Sequence, residues 1–315
     1  MHVIDRDTVN DLLDWPTVVA ALRAGHLSGR PQIKDVLMRD EPGAFLTRVA
    51  WLPGNALGLK SVTVFPENTA QTPPRPAVQG QFLLFDPDTG AVSAVIDGVA
   101  ITAWKTAGDS ALGADLLARR DVETFVILGA GAMAEPLIRA HLSVRPSLRR
   151  IIVVNRTRAR ADALKERLAD LGRDVLVTDD FSAAAAGDIV CTATMSSEPV
   201  LRGAWLKPGT HVDLVGAYTP DMREADDDVL RRGRLFVDAR ETTLHEIGEL
   251  MIPLAAGVIS EADVNGDLFD LVPADGGEGR RSPDEITVFK NGGGAHLDLM
   301  TAGAIHSAYL ARESG

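Results

Sequence analysis

The run Thr124-Phe125-Val126-Ile127-Leu128 leads directly into Gly129-Ala130-Gly131-Ala132-Met133-Ala134. An apolar, β-branched segment that meets Gly-x-Gly-x-x-Ala and then a helical pattern can cradle a pyrophosphate. Gly129 permits the tight turn, and Gly131 lets the backbone approach the phosphates. Ala134 keeps helix and strand close, and the helix start offers free N–H groups and positive partial charge. Pro136 falls in the first helical turn, where a missing N–H costs nothing. A second apolar run, Arg150-Ile151-Ile152-Val153-Val154, completes a βαβ unit. This context favours dinucleotide binding over a plain structural turn.

The end of the second strand selects the cofactor. An acid there would hold the ribose 2′-OH of NAD, whereas a basic residue accommodates the 2′-phosphate of NADP. The chain has Asn155, Arg156, Thr157 and Arg158. The planar guanidinium of Arg156 suits a phosphate. NADP(H) is therefore the expected cofactor and NAD(H) the alternative. The competing reading is that Arg156 and Arg158 only solvate a helix start.

Gly129, Ala130, Gly131, Ala132 and Met133 should line the pyrophosphate, and Asn155, Arg156, Thr157 and Arg158 the adenosine ribose. Thr192-Ala193-Thr194-Met195 follows another apolar strand, at the sheet edge where open α/β folds bind ligands. Thr106 could reach phosphate or nicotinamide.

Other groups are set aside. His245-Glu246-Ile247-Gly248-Glu249 lacks the second histidine of a zinc motif, so no metal is expected. His211 and Cys191 lie in apolar strands and read as core. Asp226-Asp227-Asp228 reads as the charged start of a helix.

The bulk properties agree with an enzyme. The chain has 315 residues, enough for two domains, with 45% hydrophobic residues and a formal net charge of −12. That balance, without a long basic run, excludes a nucleic-acid footprint. The single cysteine fits a reducing compartment. The N-terminus does not resemble a signal peptide, and no apolar run reaches spanning length, so a cytoplasmic, membrane-free protein is expected.

The elements that must position these groups follow from periodicity. Asp5 to about Gly29 reads as helical, capped by Asp7 or Thr8. Phe45–Trp51 and Ala56–Val64 read as strands. Pro66–Pro76 reads as a loop. Gln79–Phe85 and Ala91–Ile96 flank the hairpin signal Asp86-Pro87-Asp88-Thr89-Gly90. A helix follows over Val99–Ala118. Beyond the βαβ unit, strands recur near Val175–Val177, Asp188–Thr192, His211–Val215, Arg234–Asp238 and Ile286–Lys290, with a final helix from Leu297 to about Ala311. The fold class is α/β: a Rossmann-type doubly wound nucleotide-binding domain over 118–294, plus a β-rich α+β domain formed by 1–117 with 295–315. The β-rich part has many strands and few residues for a closed core, so pairing with a second copy, a homodimer, is expected.

Val99-Ala100-Ile101-Thr102-Ala103-Trp104-Lys105-Thr106-Ala107-Gly108-Asp109 resembles the ornithine cyclodeaminase/mu-crystallin family. Gly58-Leu59-Lys60, Phe65-Pro66-Glu67-Asn68, Gly216-Ala217-Tyr218-Thr219-Pro220-Asp221 and Phe289-Lys290-Asn291-Gly292-Gly293-Gly294 extend the resemblance over nearly the whole chain. It implies a nucleotide domain inserted in a β-rich dimerisation domain, and a small α-imino or α-amino carboxylate substrate beside a nicotinamide. It also implies a carboxylate clamp on Arg48, Lys60 and Lys105, with Asn291 and Gly292 closing over the nicotinamide. Arg48 and Lys60 stand on strands among apolar neighbours, where an unpaired charge is costly, which supports an anionic ligand; ordinary strand-edge cations are the alternative.

Two departures matter. Lys105 replaces the family's signature arginine, so charge is kept but the bidentate fork is lost. Tyr218 stands where cyclodeaminases carry an aspartate that handles the substrate amine, and a phenol is a poor base for a protonated amine. Met222 likewise replaces a lysine. The expected activity is therefore NAD(P)H-dependent reduction of a cyclic imine, Δ1-pyrroline-2-carboxylate or Δ1-piperideine-2-carboxylate, to L-proline or L-pipecolate. Lys60 would clamp the carboxylate or relay a proton, and Tyr218 would donate a proton or position a water. The rivals are an ornithine cyclodeaminase, an alanine-dehydrogenase-like enzyme, and a crystallin-like NADPH-binding protein without catalysis.

Overall fold

The computed structural model describes residues 1–314. They form two compact units, one of Met1–Thr106 with the C-terminal segment from Gly294, the other of Ala107–Gly293.

The first unit opens with β1 (His2–Ile4), α1 (Arg6–Leu12) and α2 (Trp15–Leu27). The single helix expected over this stretch is in fact two. Leu13 is extended, and Asp14 restarts the helix by accepting from the Thr17 amide at 2.8 Å, with Pro16 in the first turn. The first cap is Asp5 rather than Asp7 or Thr8: its carboxylate accepts from the Thr8 amide at 2.9 Å.

Next come β2 (Gln32–Asp40), β3 (Gly43–Leu52), β4 (Ala56–Val64), β5 (Val78–Phe85) and β6 (Val92–Asp97), then α3 (Gly98–Leu117). Pro66–Ala70, read as loop, forms a short 3-10 turn. The sheet runs β1-β6-β5-β4-β3-β2, antiparallel except for the β1–β6 pair. Burial alternates along β4: Gly58, Lys60 and Val62 face inward. Phe82, Leu84, Ala94 and Ile96 continue that face. β1 and β2 escaped the sequence reading. β1 is only three residues long, and β2 is mostly solvent-exposed, so neither shows a clean apolar alternation.

The second unit is an eight-stranded parallel sheet. It contains β7 (Thr124–Leu128), α4 (Ala134–Val144), β8 (Arg150–Val154), α5 (Arg158–Arg167), β9 (Asp174–Thr178), β10 (Ile189–Thr192) and β11 (His211–Leu214). It continues through α6 (Asp227–Arg232), β12 (Gly233–Val237), α7 (Arg240–Thr243), α8 (Gly248–Ala255), β13 (Val264–Asp267), α9 (Leu268–Leu271) and β14 (Ile286–Lys290). The chain closes with α10 (Ala295–Ser314), which packs in the first unit on α2, β3, β4 and β5.

Strand order in the parallel sheet is β13-β12-β14-β11-β10-β7-β8-β9. Progression reverses between β7 and β10, the switch point at which such sheets open a crevice beyond their carboxyl ends. The strands carry near-continuous apolar runs because both faces are covered. β13 was missed: Val264-Asn265-Gly266-Asp267 has neither alternation nor an apolar run. Among the described residues, no helix is long and apolar enough to cross a membrane.

Candidate active site

Two groups of residues carry chemistry, one in each unit. In the first, Asp35, Arg48 and Lys60 are in register across β2, β3 and β4. Cross-strand partners share a face, so the sheet itself sets the spacing of these charges. The Arg48 guanidinium donates to Asp35 at 2.6 Å. Lys60 Nζ donates to Asp298 Oδ1 of α10 at 2.8 Å and to Thr102 Oγ1 of α3 at 3.3 Å. Lys105, three residues along α3 from Thr102, brings its Nζ within 3.3 Å of the same Asp298 oxygen and donates to the Gly294 carbonyl at 3.4 Å.

Lys60, Lys105 and Asp298 are all buried. One carboxylate thus faces two ammonium groups inside the protein, a concentration of buried charge that is costly wherever it is not compensated. Burial pushes Lys105 down to about 7, with Asp298 opposing the fall and Lys60 and Arg48 adding to it. Burial alone would raise Asp298, but Lys105, Lys60 and Arg48 together hold it below the ordinary carboxylate value. His296, in the same first turn of α10, is pushed well below its usual value by burial and by neighbouring cations, so it adds no charge at neutral pH.

The second group surrounds a cleft of about 460 Å³ at the carboxyl ends of β7 and β10. Gly129, Ala130, Gly131, Asn155, Arg156, Ala193, Thr194 and Met195 line it. Gly129 has a φ of +113°, and a Cβ there would lie 2.4 Å from the Ala193 carbonyl, so only glycine serves. A Cβ on Gly131 would meet nothing within 4 Å. Open space in front of a bare backbone, at the start of a helix, fits a pyrophosphate. Asn155 braces the turn: its Oδ1 accepts from the Ala130 amide at 3.2 Å, and its Nδ2 donates to the Thr157 carbonyl at 2.8 Å.

The other expected residues are placed as follows. Ala132 leads into Met133, the N-cap of α4, and Thr157 is the N-cap of α5. Arg158 is paired with Asp162 at 3.1 Å on the exposed side of α5. Thr192 is buried, its hydroxyl donating to Glu224 at 2.7 Å. Asn291 donates to Ser110 Oγ at 3.0 Å, and Gly292 sits against Thr243 and Asp238. Tyr218, on the loop after β11, is 61% exposed. Thr106 ends the first unit within α3.

Sequence reasoning missed several participants. Asp298 is an acid between Leu297 and Leu299 in an apolar helical stretch, which was a usable signal. Arg160, Arg202, Phe181 and Trp205 line the cleft. Arg160 lies one turn into α5 from Arg156. Arg202 lies over the Trp205 ring, 5.7 Å from its centroid, and nothing in its local sequence pointed to the cleft.

Known proteins are similar to this chain over most of its length. A Δ1-pyrroline-2-carboxylate reductase of Paracoccus denitrificans is 49% identical over 301 residues, 95% of this chain and 93% of that protein. The ketimine reductase mu-crystallin of Mus musculus is 35% identical over 81% of this chain and 77% of its own. The solved structure of Thermococcus litoralis Δ1-pyrroline-2-carboxylate reductase in complex with NADH and L-proline superposes with a TM-score of 0.92. It is 31% identical and covers 99% of this chain and 98% of its own. The profile of the ornithine cyclodeaminase/mu-crystallin family matches residues 15–313, so with its inserted parallel-sheet unit and its glycine turn the chain belongs to that family.

Proposed function

We propose that this protein is an NAD(P)H-dependent reductase of a small cyclic imino acid, converting Δ1-pyrroline-2-carboxylate or Δ1-piperideine-2-carboxylate to L-proline or L-pipecolate. The observation that carries the reading is the buried pair of ammonium groups on a single carboxylate, Lys60 and Lys105 on Asp298. A protein that only stored cofactor would have no use for it. The Paracoccus and Thermococcus proteins, similar over almost their whole length, supply the substrate class.

Arg48 and Lys105 clamp the substrate carboxylate, and Lys60 either joins them or relays a proton. Tyr218 donates a proton or positions a water at the imine nitrogen. When bound, the nicotinamide supplies the hydride that reduces the imine carbon. Orientation by the clamp lowers the barrier by fixing the reacting carbon in place. The cyclodeaminase alternative would need an acid to handle the amine, and the position in question carries Tyr218.

NADPH is the preferred cofactor. Arg156, Arg160 and Arg202 all line the cleft, and this excess of guanidinium groups favours a 2′-phosphate. The protein acts as a cytoplasmic homodimer. The buried single Cys191 supports a reducing compartment. Val36, Leu37, Met38 and Trp51, on β2 and β3, are 47%, 50%, 55% and 50% exposed, the surface expected of a sheet edge covered by a second copy.

The test is nicotinamide oxidation with each imine, NADPH and NADH in parallel, without ammonium. Rapid oxidation supports the reductase. Ammonia release from ornithine at constant cofactor, with neither imine reduced, would replace it with a cyclodeaminase.

A further inference from the structure

The fully buried carboxylate of Glu224 gathers donors from two separate loops. From the end of β10 and the loop after it, it accepts the Thr192 hydroxyl at 2.7 Å, the Thr194 amide at 2.7 Å and the Thr194 hydroxyl at 2.7 Å. From the loop after β11 it accepts the Gly216 amide at 2.6 Å and the Ala217 amide at 3.3 Å. All these partners are donors. A carboxylate, with acceptors on both oxygens, meets them; an amide would turn an NH₂ group against one set of N–H groups.

Glu224 is itself held. Its own amide and that of Ala225 donate to Glu249 at 2.7 and 2.9 Å, while its carbonyl accepts from Val200 and Leu201 at 2.8 and 2.9 Å. Lys290, buried at the end of β14, donates to the carbonyls of Leu214 and Ala217 at 3.0 and 2.8 Å, fixing the second loop from its other side. The loops also approach as closely as backbone allows. A Cβ on Gly216 would lie 2.1 Å from the Thr194 carbonyl oxygen and 2.6 Å from Glu224 Oε1.

We propose that Glu224 is a positioning residue for the nucleotide site: it splices the loops after β10 and β11 so that Ala193, Thr194 and Met195 form one wall of the cleft. The inference rests on reading that cleft as the nicotinamide cofactor site. Thr194 is the link, since it both lines the cleft and spends its amide and hydroxyl on Glu224. A loop freed from Glu224 would have to be re-ordered each time cofactor binds, which weakens affinity without altering the reacting groups.

The experiment compares NADPH binding, by quenching of tryptophan fluorescence, and thermal unfolding in the wild type, Glu224→Gln, Gly216→Ala and Asp188→Asn. Asp188 is a matched control. It accepts the Glu123 and Thr124 amides at 2.8 and 2.9 Å at the opposite end of the same sheet. Glu224→Gln and Gly216→Ala should weaken NADPH binding by roughly tenfold or more, the scale of donors left without a charged acceptor. Asp188→Asn should lower the melting temperature and leave affinity within about twofold of wild type, the spread expected of a distant site. Imine KM and kcat at saturating cofactor should move less than cofactor KM. Should Glu224→Gln fail to fold, Gly216→Ala decides the matter alone. Wild-type affinity in the folded loop variants, or an equal loss in Asp188→Asn, overturns the role of Glu224. A wild type that binds neither NADPH nor NADH overturns the cofactor reading of the cleft instead.

Discussion

Lys60 and Asp298, separated by 238 positions in the chain, meet as a buried ion pair at 2.8 Å. A strand from the first third of the sequence thereby depends on the last helix for the counter-ion of its central cation. Removing one partner of such a pair leaves an uncompensated charge in a low-dielectric setting. Asp298→Asn should therefore destabilise the protein by about 3–5 kcal/mol, since Lys105 loses the same partner. Urea unfolding measures this, and a loss below about 1 kcal/mol, the scale of a surface pair, would mean that water reaches the cluster.

Lys105 makes both stability and substrate binding depend on pH, in opposite directions. Its folded value lies near 7 against 10.5 for a free lysine. Below about pH 7 it is charged in both the folded and the unfolded chain, and the full cost of burying the cation is present. Between pH 7 and 10.5 the folded form has lost the proton that the unfolded form still holds, so this contribution to stability improves as pH rises. Substrate affinity moves the other way, because the clamp needs the cation. Imine KM should rise above neutral pH, approaching about tenfold per pH unit. Lys105→Arg should flatten that rise, since a guanidinium stays charged. An identical KM profile in the arginine variant would remove Lys105 from the clamp.

Much of this was legible in the sequence. Thr124–Leu128, Ala56–Val64 and Ile286–Lys290 are strands with the bounds expected from their apolar patterns, and the glycine turn after β7 has the conformation its spacing implied. The failures share a physical cause. β2 has polar residues on both faces and owes its pairing to β3, which no local pattern encodes. The break at Leu13 is a single extended residue, marked in the sequence only by the Asp14 cap and by Pro16 in the turn that follows. Glu224 and Arg202 act through partners distant in sequence, and such side chains are indistinguishable from solvated charges until the fold brings them together; Asp298 alone carried a local mark, its place between Leu297 and Leu299.

The cofactor cleft sets up a selectivity test. Arg156 and Arg160 approach it from the β8–α5 side, and Arg202 from the segment leading to Trp205. Replacing Arg156 with alanine should raise the KM for NADPH by about 10-fold to 100-fold, as expected when a phosphate loses a charge-assisted partner, and leave the KM for NADH nearly unchanged. Adding Arg202→Ala should deepen the loss for NADPH. Equal effects on both cofactors would place these arginines on the shared pyrophosphate or outside the site.

Tyr218 offers a sharper test of mechanism than of stability. The residue is more than half exposed, so loss of the hydroxyl should cost no buried hydrogen bond, and the melting temperature of Tyr218→Phe should match wild type. If the phenol delivers or relays the proton to the imine nitrogen, kcat should fall by roughly 100-fold, the usual scale for losing a general acid. KM for the imine should change little, because the carboxylate clamp is untouched. An unchanged kcat would shift the proton transfer to Lys60, whose contacts with Asp298 and Thr102 already provide a hydrogen-bonded route. Lys60→Met should then abolish reduction while Tyr218→Phe stays fully active.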